Sequence, residues 1–239
     1  HFSEIPKCME EYGIGYGYIA YQTVLNRDYI DAVLSFEELG DRAQVYINNT
    51  LAGIVYINDS LEITVNARKG DVLTVLCENM GRANFGAKMM RKKGISGRCL
   101  IDDKIHFNWT VYPLPMDHLE NLQFSNQIPL EKSVFYKGCI RIDDPCDTFL
   151  RLENFTKGFV TVNGFNIGRY WKIGPQKTLY IPRSILKTGL NEFIVFEKVD
   201  RFGRMPVFDK IIGHRRGDGI MSRADRYGQE KNSHSSRLS

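Results

Sequence analysis

Two side chains in one strand-like run, Arg169 and Trp171, could take part in recognition of a sugar. An indole ring can lie against the apolar face of a sugar, and a guanidinium can stack on an aromatic ring or pair with an acid. The alternative for Trp171 is a half-buried anchor between sheets or domains, and the sequence leaves the partner of Arg169 open. Asn163, slightly upstream, is expected to serve a turn, because asparagine tolerates a left-handed backbone.

Glutamates are the second group of side chains that could do chemistry. A glycosidase normally needs two carboxylates across the scissile bond, one as acid or base and one as nucleophile or base. Glu78, Glu153 and Glu197 lie at strand ends or turns, where we expect solvated carboxylates. For Glu78 we expect a structural salt bridge or a backbone cap. The sequence therefore predicts no catalytic residue in this chain.

Motifs for other chemistries are absent from the sequence. It contains neither the phosphate-binding pattern Gly-x-x-x-x-Gly-Lys-Ser/Thr nor the Gly-x-Ser-x-Gly nucleophile elbow. The five histidines have no zinc-ligand spacing with cysteine. The glycine cluster at residues 13–17 has no preceding strand and no following helix, so it does not indicate a dinucleotide site. We expect no metal site and no cofactor.

The net charge of +4 is confined to the C-terminal end of the sequence. Residues 200–239 hold nine Lys and Arg against five Asp and Glu, which accounts for the whole excess. The preceding 199 residues are therefore neutral overall, so we expect no nucleic-acid partner for the folded part.

Cysteine usage and hydropathy indicate in which cellular compartment the protein is expected. Five cysteines without a CxxC pair favour reduced thiols and a cytoplasmic location. Cys77 and Cys139 lie in apolar runs and are expected to be small core residues. No apolar run approaches 18 residues and no signal peptide is evident, so we expect no membrane association.

Short strands and frequent turns dominate the sequence. β-Branched and aromatic runs alternate with Asn, Asp and Gly turns, and no helical periodicity is evident. In residues 157–182, a first run ends at Asn163-Gly164, the dipeptide best suited to a tight hairpin, and two further runs follow. These three runs predict an antiparallel meander. The fold class is therefore all-β, with antiparallel sandwiches.

A weak internal repeat indicates two copies of one sandwich topology. The run that begins at Val45 is similar to the run that begins at Val160, and Val72–Asn79 is similar to residues 191–197. Two prolines flank Leu114 and favour an extended crossover between the copies. The expected organisation is a linker from a missing N-terminal region at 1–11, a first domain at 12–114, a second at 115–199, and a basic, disordered tail at 200–239.

The run VNGFNIGRYW, followed by GPQKTLYIP, resembles the C-terminal β-sandwich region of β-galactosidases of glycoside hydrolase family 35. The resemblance extends from about Met9 to Glu197. It implies two sandwiches of galactose-binding-like or jelly-roll type. In that family the Gly- and Tyr-rich run at residues 12–21 is the entry to the first sandwich after the catalytic barrel. A sugar-stacking surface and a Tyr-rich strand packed on a neighbouring domain are the two hypotheses for this run.

The segment ENMGRANFG, which ends at Gly86, is similar to a family loop that carries a tyrosine after the asparagine. In the family that tyrosine projects into the mouth of the barrel and lines the galactose pocket. The resemblance makes Asn84 and Phe85 candidate substrate-binding residues here, with Arg169 and Trp171. Phe85 keeps the ring but lacks the phenol hydroxyl. The alternative for Phe85 is a loop aromatic that packs on its own domain.

The resemblance implies a non-catalytic role for this chain. The family's two catalytic glutamates lie on a TIM barrel, which takes about 250 residues of alternating strands and helices and has no counterpart here. We expect a C-terminal fragment that braces the barrel and shapes its substrate mouth, inactive alone, within a parent enzyme that hydrolyses terminal β-D-galactosyl residues. Its partners would be that barrel and a β-galactoside. The alternatives are a stand-alone carbohydrate-binding module and a module that docks on a separately encoded barrel.

Overall fold

A computed structural model describes residues 1–125, 133–153 and 155–198, together with the backbone of 211–213. The chain divides into two compact units, His1–His118 and Leu119–Ser239. The expected disordered tail at 200–239 lies outside the described residues, apart from the backbone of 211–213.

The first unit is built from antiparallel strands in two main sheets. A six-stranded sheet has the order β1-β12-β2-β8-β5-β6, a four-stranded sheet has the order β11-β10-β3-β7, and β4 pairs with β9. Its strands are β1 Phe2–Ser3, β2 Tyr18–Val24, β3 Tyr29–Phe36, β4 Leu39–Gly40, β5 Arg42–Ile47, β6 Thr50–Tyr56, β7 Glu62–Ala67, β8 Val72–Glu78, β9 Gly94–Ile95, β10 Cys99–Ile101, β11 Lys104–Ile105 and β12 Trp109–Leu114. Short 3₁₀ helices span Met9–Tyr12 and Ala87–Met90.

Alternate side chains of the two main sheets form one buried core in this unit. Ile19 and Tyr21 of β2 belong to the same hydrophobic cluster as Leu34 of β3 and Val65 of β7. A period of two places every second side chain on one face of a strand, so two such faces enclose a common core. The all-β sandwich predicted from the sequence is confirmed for this unit.

Residues 1–11 are not a linker, contrary to the expectation. Strand β1 pairs with β12, which extends the larger sheet by one strand. The side chains of Cys8 and Met9 are buried, and Met9 belongs to the core cluster. The Met9 amide also donates a hydrogen bond to the Lys93 carbonyl at 2.8 Å. This segment has too few large apolar residues for a sequence pattern to reveal its burial.

The second unit is also a pair of facing antiparallel sheets. One sheet has the order β13-β18-β15-β16, and the other has the order β17-β14-β19. Its strands are β13 Val134–Ile142, β14 Thr148–Arg151, β15 Lys157–Val162, β16 Phe165–Trp171, β17 Thr178–Ile181, β18 Gly189–Glu197 and β19 Ile211–Gly213. Short 3₁₀ helices span Leu119–Asn121 and Arg183–Ile185.

The predicted three-strand meander is only partly formed. Strands β15 and β16 make the expected hairpin, but β17 leaves that sheet and pairs with β14. In the second sheet, Leu179 and Ile181 join a core cluster with Val160 and Val162 of β15. The crossing buries both apolar faces against each other, which a single continuous sheet would not do.

The hairpin turn is held by two asparagines. Asn163 has φ of 51°, as a tight turn of this kind requires, and its side-chain oxygen accepts a hydrogen bond from the Glu192 amide at 3.0 Å. Its amide group donates to the side-chain oxygen of Asn191 at 2.8 Å. Asn191 is fully buried and donates in turn to the carbonyls of Lys187 and Gly189. Asn163 therefore serves the turn, as predicted.

The cysteines are free thiols in different surroundings. Cys77 is a core residue as expected, but Cys139 is exposed, which corrects the prediction for that residue. Cys139 lies on β13, which is the edge strand of its sheet. Burial raises the pKa of the Cys99 thiol well above its usual range. In the described part of the chain, no helix has both the length and the apolar character needed to cross a membrane.

Replacing Asn191 with alanine tests the hydrogen bonds behind the hairpin. We expect the free energy of unfolding to fall by about 1–3 kcal/mol, because the Lys187 amide and the carbonyls of Lys187 and Gly189 would lose the buried Asn191 side chain as a partner at a partly buried site. Urea denaturation measures the change. Leu190→Ala, at the adjacent and exposed position, is the matched control, with an expected loss below about 0.5 kcal/mol. Equal losses for the two variants would contradict the assignment.

Candidate functional site

The loop that joins β8 to β9, residues 79–93, presents Phe85 to solvent. Phe85 is 88% exposed, and residues 81–90 are all exposed. The alternative that Phe85 packs on its own domain is therefore wrong for this unit. Asn84, beside it, is exposed as well. We call residues 83–92 the loop tip, and residues 79–82 with Lys93 the loop base.

The carboxylate of Asp41 joins the two sides of the loop base. Its two oxygens accept hydrogen bonds from the ammonium of Lys93 at 2.7 and 2.6 Å. One of these oxygens also accepts the backbone N–H of Met80 at 2.8 Å. Asp41 and Lys93 are both buried, so this is a charge-assisted contact shielded from solvent. The contact links the chain just after β8 to the chain just before β9.

Glu10 makes a second link across the loop base. One carboxylate oxygen pairs with the guanidinium of Arg82, and the other accepts the backbone N–H of Lys93 at 3.1 Å. Arg82 also donates to the carbonyl of Arg91 on the returning side at 3.3 Å. Partial burial acts to raise the pKa of the Glu10 carboxyl, but Arg82 and the Lys93 amide outweigh it and hold that pKa below its usual value.

Asn79 attaches the loop base to the Gly- and Tyr-rich run. Its side chain donates to the Gly15 carbonyl at 2.7 Å and accepts the Gly81 amide at 2.9 Å. Its own backbone N–H donates to the Gly17 carbonyl. A Cβ at Gly17 would lie 2.5 Å from the Leu114 carbonyl oxygen, and φ there is +84°, so a side chain would not fit. The run therefore supports the loop through its backbone.

The aromatic rings of this run do not form one exposed surface. Tyr18 and Tyr21 are buried, whereas Tyr16 is 61% exposed. The Tyr16 hydroxyl donates to a carboxylate oxygen of Asp117 at 3.3 Å. The Tyr21 hydroxyl donates to the Lys7 carbonyl and accepts the Ile95 amide, so it supports the strand that follows the loop.

Arg169 and Trp171 lie on β16 of the second unit, at the edge of its sheet. They are two residues apart and therefore share a face of the strand. The ammonium of Lys157 lies 3.7 Å from the centroid of the Trp171 ring, and Lys157 is buried. One face of the indole is thus covered by a cation. Arg169 is exposed and lies opposite Phe159 in the register.

The three glutamates considered for chemistry have structural surroundings. Glu78 is buried rather than solvated, which corrects that expectation, and its carboxylate lies 3.9 Å from the Arg42 guanidinium, which confirms the expected salt bridge. Glu153 is exposed, as predicted. Glu197 is buried, which corrects the prediction of a solvated carboxylate. It accepts the Tyr170 hydroxyl at 2.6 Å and the Thr156 backbone N–H at 2.8 Å, and these hydrogen bonds replace the hydration that a buried carboxylate loses.

Sequence patterns did not reveal the residues that support the loop. Glu10, Asp41 and Lys93 are far apart in the sequence and match no motif. In the folded unit, Glu10 and Asp41 both accept hydrogen bonds from Lys93. Within residues 1–125, 133–153 and 155–198, no group of three or more His, Cys, Asp or Glu could hold a metal ion.

Two protein-family models match the two units. The model described as the first all-beta domain of beta-galactosidase matches residues 6–115, and the model described as the galactose-binding domain of beta-galactosidase matches residues 133–191.

Several similar proteins have beta-galactosidase in their names. Beta-galactosidase-1-like protein 2 of Homo sapiens is 37% identical over 199 residues, covering 78% of this chain and 30% of that protein. Beta-galactosidase of Mus musculus is 35% identical, covering 76% of this chain and 32% of that protein. Beta-galactosidase 1 of Dictyostelium discoideum is 36% identical, covering 80% and 32%. The chain thus spans about a third of the length of these curated relatives.

Among solved structures, a lectin of Pleurotus ostreatus aligns over 84% of this chain and 74% of its own length. It shares 11% identity at a TM-score of 0.28, which is too low to support a structural conclusion.

Replacing Asp41 with asparagine tests the link across the loop base. We expect the free energy of unfolding to fall by about 3–5 kcal/mol, because the Lys93 ammonium would stay buried without its counter-charge. Chemical denaturation measures the loss, and hydrogen exchange should show loss of protection at the Met80 amide. Glu37→Gln is the matched control. Glu37 forms an exposed ion pair with Arg98, so its loss should lower the free energy of unfolding only slightly. A smaller effect at Asp41 than at Glu37 would refute this role.

Proposed function

The chain belongs to the β-galactosidase family, and we propose that its two units brace a catalytic domain and shape the mouth of its galactoside site. In this proposal the catalytic domain is a TIM barrel and supplies the two catalytic carboxylates. The whole protein then hydrolyses terminal β-D-galactosyl residues, and the units described above do not carry out the chemistry themselves.

The observation that carries the proposal is the exposed Phe85 on a firmly held loop. An exposed aromatic ring retains its full apolar surface for contact with another molecule. The ring lies three residues beyond Arg82, whose guanidinium is fixed by Glu10. A side chain that contacts substrate must be held in place by its supports, and the links through Asp41 and Glu10 supply that support.

The contribution of Phe85 would be apolar contact. A phenyl ring can lie against the C–H face of a galactose and exclude water from it, but it cannot donate a hydrogen bond. The family tyrosine at this position has a hydroxyl that Phe85 lacks. Phe85 would therefore orient the sugar without forming a polar contact, and Asn84 is the neighbouring side chain that could form one.

The second unit has a bracing role in this proposal. Lys157 covers one face of the Trp171 ring, so that face cannot receive a sugar. The buried network around Asn191 and the Tyr170–Glu197 hydrogen bond stabilise the unit itself. Arg169 is exposed and Trp171 is half-buried at this sheet edge, which is where contact with another domain or a ligand would occur.

The second candidate function is a stand-alone galactoside-binding module. It is favoured by the match of residues 133–191 to a model described as a galactose-binding domain. In that case Trp171 and Arg169 would form the sugar contact, without a catalytic domain. A cytoplasmic location is part of both proposals and rests on the free thiols of the chain.

Substitution of Phe85 tests the first proposal in a hybrid enzyme. This chain would replace the segment that it matches in the Dictyostelium discoideum relative, and hydrolysis of a chromogenic β-galactoside would be followed. We expect Phe85→Ala to raise KM about 3- to 10-fold with little change in kcat, because a stacking contact is lost. Phe85→Tyr should retain or improve binding.

The control for this substitution is Phe165→Ala, which removes an exposed phenylalanine from the second unit. It should leave KM unchanged. An inactive hybrid, or the same KM for wild type and Phe85→Ala, would count against a role for this loop at the substrate mouth.

Calorimetric titration of the chain alone separates the two candidate functions. The bracing proposal predicts neither heat of binding with galactose or a β-galactoside nor hydrolysis of a chromogenic galactoside. A binding module would show binding that Trp171→Ala abolishes. Hydrolysis by the chain alone would refute the proposal that the catalytic carboxylates lie in another domain.

A further inference from the structure

Strand β13 is an open edge of its sheet in the second unit. It runs over nine residues, Val134–Ile142, and pairs with β18 along its whole length without a register shift. No proline interrupts it. Among the residues that the structure describes, no strand pairs with its other side. A long and regular edge strand presents a row of backbone groups that can bind a further strand.

The other edge strands of the described sheets are short or irregular. Strands β1, β4, β9, β11 and β19 have two or three residues, and β17 has four. A register shift interrupts the pairing of β6, β7 and β16 with their neighbours. Short edges and bulges both discourage pairing with another chain. Of the edges that the structure describes, only that of β13 has neither feature.

The hydrogen bonds of β18 show which backbone groups of β13 face its free side. The backbone N–H of Asn163 donates to the Glu192 carbonyl at 2.8 Å, and that of Lys198 donates to the Lys157 carbonyl at 2.7 Å. Both pairs continue the register of β15 with β18, so the even-numbered residues of β18 bond to β15. Its odd-numbered residues therefore bond to the even-numbered residues of β13. Four residues of β13 direct their N–H and C=O groups away from β18: Phe135, Lys137, Cys139 and Arg141.

The core of the second unit is incompletely covered beside β13. Three apolar side chains on the inward face of the strand pack against the core cluster but stay only partly buried: Tyr136, Ile140 and Ile142. Phe193 and Val195 of the neighbouring β18 are fully buried in the same cluster. A further strand beside β13 would cover more of these three side chains, and burial of their apolar surface would favour its addition.

We propose that β13 pairs with β13 of a second copy of this chain, antiparallel and about a two-fold axis at Gly138. Antiparallel pairing of a strand with its own copy gives a closed, isologous dimer. Gly138 is the middle residue of β13, so this axis lets the whole strand pair. The four residues with outward backbone groups then lie opposite one another, which allows about eight intermolecular hydrogen bonds. The pairing needs no catalytic domain, so it does not depend on the proposed function.

A second copy fits this edge because the outer face of β13 is self-complementary. With the axis at Gly138, Lys137 lies opposite Cys139 of the second copy, and Phe135 lies opposite Arg141 of the second copy. A guanidinium beside a phenyl ring is favourable, and no two charges of the same sign are opposed. An axis at Cys139 would instead place Lys137 opposite Arg141 of the second copy, which is a like-charge pair.

The charges on β13 do not keep two copies apart, because each has an acidic partner in its own unit. Lys137 lies 2.5 Å from a carboxylate oxygen of Glu192, and Arg141 lies 3.3 Å from one of Asp143. On the inner face, Tyr136 would lie opposite Ile140 of the second copy, which is a favourable aromatic and β-branched pair.

Sedimentation equilibrium of the whole chain, in the presence of a reductant, tests the dimer. We expect a Kd of about 10–100 μM, because one strand pair buries less surface than a stable protein interface does. Hydrogen exchange of single amides locates the contact. Between about 5 and 500 μM protein, exchange at residues 135, 137, 139 and 141 should slow by about 3- to 6-fold. The amides of residues 136, 138 and 140 should be protected at both concentrations, because they bond to β18.

The variant Cys139→Pro removes one outward N–H without removing a bond to β18. We expect it to raise the Kd of the dimer more than about 10-fold. Gly138, which precedes it, has no Cβ to collide with the proline ring. Cys139→Ser is the matched control, since it keeps the N–H, and should change the Kd less than about 2-fold. Thermal unfolding shows whether each variant is folded.

Two charge variants at the same exposed position test the register without disturbing the backbone. Cys139→Glu should lower the Kd about 2- to 4-fold, because it faces Lys137 of the second copy, and Cys139→Lys should raise it by a similar factor. Glu192 lies opposite residue 139 within one copy, so its influence is present in monomer and dimer alike. If both variants raised the Kd, residue 139 would lie opposite itself, and the axis at Gly138 would be wrong.

Three further outcomes would overturn the inference. The chain could remain a monomer at every concentration up to about 500 μM, well above the expected Kd. A dimer could form without added protection in β13 and with the same Kd for Cys139→Pro, which would place the interface elsewhere. A scrambled peptide could dissociate the dimer as well as a peptide of residues 134–142 does, which would mean an edge that accepts any strand. None of these readouts involves a galactoside or a catalytic domain, so failure here is distinct from failure of the proposed function.

Discussion

The buried ion pair between Asp41 and Lys93 is the contact on which the candidate site depends. Two opposite charges inside a protein lose their hydration, so they are stable together only when their hydrogen bonds are satisfied. Asp41 meets that condition by accepting the Met80 amide as well as the Lys93 ammonium. The same carboxylate therefore neutralises the buried Lys93 ammonium and joins the two ends of the β8–β9 loop. Without it, the loop base would keep only the partly exposed link through Glu10 and the hydrogen bonds of Asn79.

The first unit separates support from contact within one loop. Its base uses paired charges, namely Asp41 with Lys93 and Glu10 with Arg82, and these pairs are wholly or partly shielded from solvent. Its tip holds Lys88, Arg91 and Lys92 together with the exposed phenylalanine and methionines. A rigid sandwich with a long loop at one end is a common arrangement for binding, because the sheets fix the loop ends while the tip is free to vary in sequence. In this chain, Phe85 occupies the loop position at which the family loop has a tyrosine.

Predictions that depend on adjacent residues were confirmed, whereas predictions that depend on strand order were wrong. The Asn163-Gly164 hairpin was predictable because a tight turn depends on the backbone preferences of two adjacent residues. Cys139 and Glu197 were misplaced because their burial depends on strand order and strand-end geometry. Cys139 lies on an edge strand, and the Glu197 carboxylate accepts a hydrogen bond from the hydroxyl of the buried Tyr170. Strand β17 was assigned to the wrong sheet for the same reason, since its pairing partner β14 precedes it by nearly thirty residues.

The sequence by itself determined the all-β class, the hairpin, the family resemblance and the position of Phe85 in a loop, because each follows from short-range residue patterns. Only the tertiary structure decided that Phe85 is exposed and that residues 1–11 belong to the first unit. It also decided that Glu10, Asp41 and Lys93 meet at one loop base. These facts depend on contacts between residues distant in the chain, and a pattern of neighbours carries no information about which distant side chains the folded sheets bring together.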